Sequence, residues 1–200
     1  MTQRSTWNSY AVFFALGALI ALGAVARLAL RDLPNFAPVA ALALFAGYVL
    51  PSRRLAVFVP LGVMAASDLV IGGYELRLMA VVYGALAAPA FAGHWLRQRW
   101  GTRQQEASGW ASAGMTTGLV GSSVASSVFF FLTTNFAVWS WGSTYPQTWT
   151  GLADCYLRAV PFFRFTLAGD LFFASLLFTT YAVVLLMLRR PTSVVMGEAR

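Results

Sequence analysis

The chain alternates between long apolar runs and short polar breaks. Six runs stand out, at residues 10–30, 36–50, 55–72, 78–96, 113–133 and 165–188. A helix that crosses a bilayer needs about 20 mostly apolar residues, because backbone N–H and C=O groups find no water in lipid and must bond within the segment. Five of the runs reach or approach that length. The run 36–50 is shorter, and is expected to tilt, to thin the bilayer locally or to span only in part. The first run follows a short polar segment with Arg4 and could begin a signal peptide. It is longer than the usual apolar core of one, so it reads as a retained helix.

The breaks differ in character. Arg31-Asp32-Leu33-Pro34-Asn35 and Pro51-Ser52-Arg53-Arg54 are tight turns, 73–77 is short and polar, and 97–112 is the longest hydrophilic loop. The stretch 135–164 is dense in Trp, Tyr and Phe, residues that favour the membrane interface. It is expected to form an outer aromatic loop, with a short helix lying over one mouth of the bundle. These elements predict an all-α integral membrane protein. Its architecture is a six-transmembrane-helix bundle, one domain over residues 1–200.

Composition agrees. The chain is 58% hydrophobic and 10% charged, against roughly 25% charged in soluble domains. Its basic charge comes from 14 arginines placed between apolar runs rather than on a polar face, so nucleic acid is not an expected partner and the lipid bilayer is. With six helices, one face holds nine arginines and two acids, and the other five and five. Arginine excess marks the cytoplasmic side. Both termini are therefore expected in the cytoplasm of a multi-pass protein.

Small residues recur at helix-packing spacing, as in Ala11/Ala15, Gly17/Ala21, Ala37/Ala41 and Gly114/Gly118, and such pairs let helices approach closely. Packing within the bundle and docking of a partner membrane protein both explain them. There is no strong internal repeat.

Ionisable groups inside spans are costly and mark sites. Arg27, Asp68 and Asp170 all fall at about the same outer depth. They read either as a salt-bridge set pinning three helices or as a polar pocket open to the outside, with Arg158 and Arg164 nearby. Tyr83 and His94 lie on the fourth run, His94 near its cytoplasmic end. The single cysteine, Cys155, excludes an intrachain disulfide. It reads as a buried thiol, or as a ligand to a soft metal carried by a bound molecule. Phe136, Trp139, Trp141, Tyr145, Trp149, Tyr156, Phe162 and Phe163 form a lipid belt or line a site for a large flat ligand. The motifs G-x-S-x-G, H-E-x-x-H and Walker A are missing from the chain, and no enzyme activity is expected.

Several short motifs carry a resemblance over residues 27–180. They are Asn35-Phe36-Ala37-Pro38, Leu44-Phe45-Ala46-Gly47, Ser67-Asp68, Thr134-Asn135-Phe136-Ala137-Val138-Trp139, Tyr145-Pro146, Gly151-Leu152, Cys155-Tyr156, Pro161-Phe162-Phe163 and Gly169-Asp170. The set resembles a family of small bacterial membrane proteins that is similar to the substrate-binding S components of energy-coupling factor (ECF) vitamin transporters. The resemblance implies six helices in a bacterial inner membrane and an outward-facing ligand site capped by loops. It also implies a small-residue docking face for a coupling module, here Ala11, Ala15, Gly17 and Ala21, although some S components work without a dedicated module. Taken together, the intramembrane charges, the aromatic stretch, Tyr83 and these motifs give as candidate substrate-binding residues Arg27, Asn35, Phe36, Asp68, Tyr83, Asn135, Trp139, Tyr145, Cys155, Tyr156, Arg158, Phe162, Phe163 and Asp170.

One solitary group of S components takes up cobalamin through a cobalt-ligating cysteine near the start of the fourth helix. The corresponding stretch here, 78–83, holds no cysteine, so a cobalt ligand would have to be Cys155. The expected function is thus uptake of a small vitamin-like substrate, cobalamin being the specific candidate and no resident cofactor being implied. The alternative is a structural or accessory membrane subunit without a small-molecule ligand.

Overall fold

The computed structural model describes residues 8–101 and 109–188. Seven helices account for the secondary structure there, with no strand: α1 Ser9–Ala29, α2 Val39–Val49, α3 Arg53–Ile71, α4 Leu76–Ala87, α5 Pro89–Trp100, α6 Gly109–Trp141 and α7 Trp149–Leu188. α4 and α5 form one broken rod. Pro89 has no N–H to return to the preceding turn, so the ladder is interrupted at Ala88 and tightens to an i−3 bond from Phe91 to Ala88. Among the described residues, five helices or rods are long and apolar enough to cross a membrane: α1, α3, α4–α5, α6 from Ala113, and α7.

The short second run is the centre of the fold. Nine of the eleven residues of α2 are buried. One side packs Val39, Leu42, Ala43 and Ala46 against Val59, Val63 and Met64 of α3 and Ala90 of α5. The other packs Ala41, Leu44 and Tyr48 against Leu96 of α5 and Ala174 and Phe178 of α7. A helix enclosed by protein presents little backbone or side chain to lipid, so its length need not match the bilayer. The closest seam is that between α2 and α5. A Cβ on Gly47 would strike the Ala90 carbonyl, and one on Gly93 would strike the Leu44 carbonyl. Arg97 of α5 then caps α2, donating to the free carbonyl of Leu50 at 2.6 Å.

The outer faces are apolar. Phe13 and Phe14 on α1, Leu69 and Val70 on α3, and Phe172, Leu176 and Leu188 on α7 are all exposed. A soluble monomer rarely leaves such a continuous apolar exterior.

The stretch 135–164 corrects the expected aromatic loop. α6 continues to Trp141 and α7 begins at Trp149, leaving only 142–148 as a turn. At 1.5 Å per residue the 40 residues of α7 measure about 60 Å, roughly twice the hydrocarbon thickness of a bilayer. The two helices therefore prolong each other's packing in a hairpin. Tyr156 donates to the Leu132 carbonyl at 2.6 Å, Trp139 Nε1 donates to the Pro146 carbonyl at 3.0 Å, and the Phe131 ring packs against Phe163 at a tilt. Its Trp and Tyr, its two arginines and the polar residues of 142–148 lower hydropathy without lowering helicity on either side of the turn, so the run reads as a loop.

The two ends of the bundle are distinct. One carries the α1–α2, α3–α4 and α6–α7 turns. The other carries the α2–α3 turn, the end of α5 and the start of α6. Residues 102–108 of the expected hydrophilic loop lie outside the described residues, as do Arg4, Arg189, Arg190, Arg200 and Glu198 from the charge count.

Candidate functional site

A cavity of about 370 Å³ opens at the end that carries the three helical turns. Its mouth is formed by the α1–α2 turn, where Arg31, Leu33, Pro34, Asn35 and Phe36 contribute. Asn35 holds this turn with φ at +59°. That left-handed conformation strains most side chains, and asparagine tolerates it better than most. Below the mouth the wall is apolar, with Val39, Ala40, Met64, Val82, Leu86 and Phe130, while Arg27, Tyr74, Thr166 and Asp170 supply polar groups.

Arg27 joins a network behind the cavity wall. Its guanidinium bonds Asp68 Oδ1 at 2.6 Å and donates to the Ser67 hydroxyl. Ser67 in turn donates to the Val63 carbonyl at 2.7 Å, one turn back in α3. The second oxygen of Asp68 accepts from Tyr83 on α4 at 2.7 Å. One buried pair thus ties α1, α3 and α4 together. Tyr74 lies beside it in the turn after α3. Burial first, and the Asp68 carboxylate second, push its pKa up, while Arg27 works the other way. The turn itself begins at Gly72, with φ at +98°, a conformation that suits glycine.

Asp170 stands apart from that network. It is 4% exposed and lines the cavity from α7. Its Oδ2 accepts a hydrogen bond from Ser127 of α6 at 2.6 Å. Among the described residues no cation lies within ion-pair distance of it.

Of the residues singled out in the sequence, Arg27, Asn35, Phe36 and Asp170 line this cavity, and Asp68 and Tyr83 stand directly behind it. The others are elsewhere. Asn135, Trp139, Tyr145, Cys155, Tyr156, Arg158, Phe162 and Phe163 belong to the α6–α7 hairpin and do not line the cavity. The roof over the mouth is the α1–α2 turn, not the aromatic segment. Cys155 is 2% exposed, its thiol directed to the Asn135 carbonyl at 3.5 Å. It packs between two helices rather than facing a pocket. Arg158 pairs with Asp154 on the hairpin surface at 3.2 Å. On α1, Ala11, Gly17 and Ala21 are exposed and Ala15 packs on the core.

Sequence reasoning missed Arg31, Tyr74, Ser127 and Thr166. Ser127 and Thr166 are uncharged residues within long helices, so nothing in their neighbourhood marks them until the helices are rotated into place. Tyr74 sits in a turn that looked merely short and polar. Groups of three or more His, Cys, Asp or Glu side chains able to hold a metal ion are not found among the described residues.

A bundle with an apolar exterior and, at one end, a largely apolar cavity carrying a few polar groups defines an α-helical membrane protein with room for a small molecule. The chain belongs to a family of unknown function, DUF6580, whose model matches residues 8–193. No curated protein and no solved structure matches it.

Proposed function

We propose that the protein binds a small vitamin-like solute in the end cavity for uptake, in the manner of the S components it resembles. In this reading the cavity faces outward from a bacterial inner membrane, and both termini are cytoplasmic. The observation that carries it is the convergence of Arg27 and Asp170 on one cavity. These residues stand far apart in sequence, both within apolar runs where an ionisable group is costly. A cavity of about 370 Å³ lies in the range of small-molecule sites, with apolar walls and a few polar groups to orient a ligand.

The same geometry argues for a solute other than a cobalt-ligated corrinoid, because Cys155 is too enclosed on the hairpin to offer a thiolate to cobalt. The second reading, an accessory subunit, rests on the exposed flank of α1. There Phe13 and Phe14, one turn before Gly17, are exposed, and Gly17 has nothing within 4 Å of an added Cβ.

Co-purification separates the two. Protein extracted in mild detergent should release a small molecule on denaturation, detected by mass spectrometry. Ala40→Trp, which fills the cavity, should carry none while retaining its melting temperature. If the folded variant and the wild type release the same compounds in equal amounts, the cavity is not a solute site and the accessory reading stands.

A further inference from the structure

We infer that the cavity takes a small organic cation, with Asp170 as its counter-ion. The inference rests on the cavity being a solute site and names the class of solute. It starts from the difference between the two buried carboxylates. Asp68 is fully provided for, with an arginine at 2.6 Å and a phenol at 2.7 Å. Asp170 is as deeply buried, yet among the described residues its one partner is the neutral hydroxyl of Ser127. A buried carboxylate is normally paired with a cation or held by several donors, because an isolated charge in a low-dielectric site is expensive. The protein supplies that partner to Asp68 and withholds it from Asp170.

The other charged groups around the cavity do not fill the gap. Arg27 on α1 is committed to Asp68 and Ser67. Arg31 stands at the rim, its side chain 64% exposed, beside Asp32 at 3.9 Å. α2 and α4 contribute only Val39, Ala40, Val82 and Leu86, and α6 contributes Phe130. Tyr74 is a neutral phenol. Among the described residues no cation answers Asp170, so a positively charged solute supplies the counter-charge that this carboxyl lacks when ionised. Apolar walls admit an organic body, and Thr166, one turn from Asp170 on α7, offers a second oxygen to an ammonium group. Inorganic cations would be poorly served, since such ions require several oxygen ligands and the wall near Asp170 is mostly carbon.

The test uses the full chain in detergent and three probes of matched shape: tryptamine, tryptophol and indole-3-propionate. Tryptamine should bind at least about tenfold more tightly than the alcohol or the acid in calorimetry, the gain of one charge-assisted contact. Asp170→Asn keeps the shape and can keep the Ser127 bond, but should lose that preference. Without ligand, Asp170→Asn should melt at or above the wild-type temperature, because it removes an uncompensated charge. A merely structural carboxylate would instead lower it. Equal or tighter binding of the alcohol or the acid overturns the inference, as does tryptamine binding that survives Asp170→Asn unchanged. Failure of all three probes to bind overturns it as well. In each case the co-purification experiment still decides separately whether the cavity holds a solute.

Discussion

Arg27 and Asp68 meet at 2.6 Å across the seam between α1 and α3, with side-chain exposures of only 18% and 6%. The contact is the only ion pair among the described residues that is shielded from solvent; the pairs Arg31–Asp32 and Arg158–Asp154 are both open. It does for the edge helix α1 what apolar packing does for α2. It fixes the rotation of α1, and so sets which face closes the cavity and which faces lipid.

Removing one partner leaves the other charge buried, which costs about 3–5 kcal/mol. Arg27→Ala and Asp68→Asn should each lower the melting temperature in detergent and the folded yield. Tyr83→Phe, which deletes only one hydrogen bond to Asp68, should cost about 1.5–3 kcal/mol. Unchanged melting of both charge variants would mean that the pair is solvated and contributes nothing.

Gly47 and Gly93 each face the backbone of the opposite helix. An added methyl cannot be relieved by a side-chain rotation there, because the obstacles are the carbonyls of Ala90 and Leu44. Gly47→Ala and Gly93→Ala should force α2 and α5 apart, at a cost at or above the usual 1–3 kcal/mol or so of overpacking. Gly17→Ala and Gly121→Ala meet nothing within 4 Å and should melt like the wild type. Similar melting for all four variants would disprove the close crossing.

Cys155 should be inert. With the thiol buried and pointed at the Asn135 carbonyl, a maleimide should label it only after denaturation. A cysteine placed in the α6–α7 turn by Ser143→Cys, in a Cys155→Ala background, should label in the folded protein. Rapid labelling of native Cys155 would show that the hairpin opens.

The proposed orientation has its own check. A reporter fused at the C-terminus should give a cytoplasmic signal, and one inserted at Tyr145 a periplasmic signal. Signals on the same side would mean that α7 does not carry the chain from one side of the membrane to the other.

The apolar run lengths by themselves determined that this is a helical membrane protein. They also placed Arg27 and Asp68 near the ends of their helices, because depth along a spanning helix follows from counting residues at a fixed rise. Asp170 is the 22nd of the 40 residues of α7, and only the packing of that longer helix brings it to the cavity. Sequence could not determine rotation about each helix axis. Whether Asp170 meets Arg27 or Ser127 depends on that angle, which is set by packing among helices distant in the chain. The short run 36–50 looked like a marginal span, since hydropathy measures transfer into lipid and does not distinguish lipid from a protein core. The aromatic run 135–164 looked like a loop for the converse reason. Its Trp, Tyr and Arg residues lower hydropathy, while the helix they form is held by the mutual packing of α6 and α7. Tertiary structure alone decided which carboxylate is satisfied and which is left facing the cavity, because the supply of partners to a buried charge depends on contacts between helices.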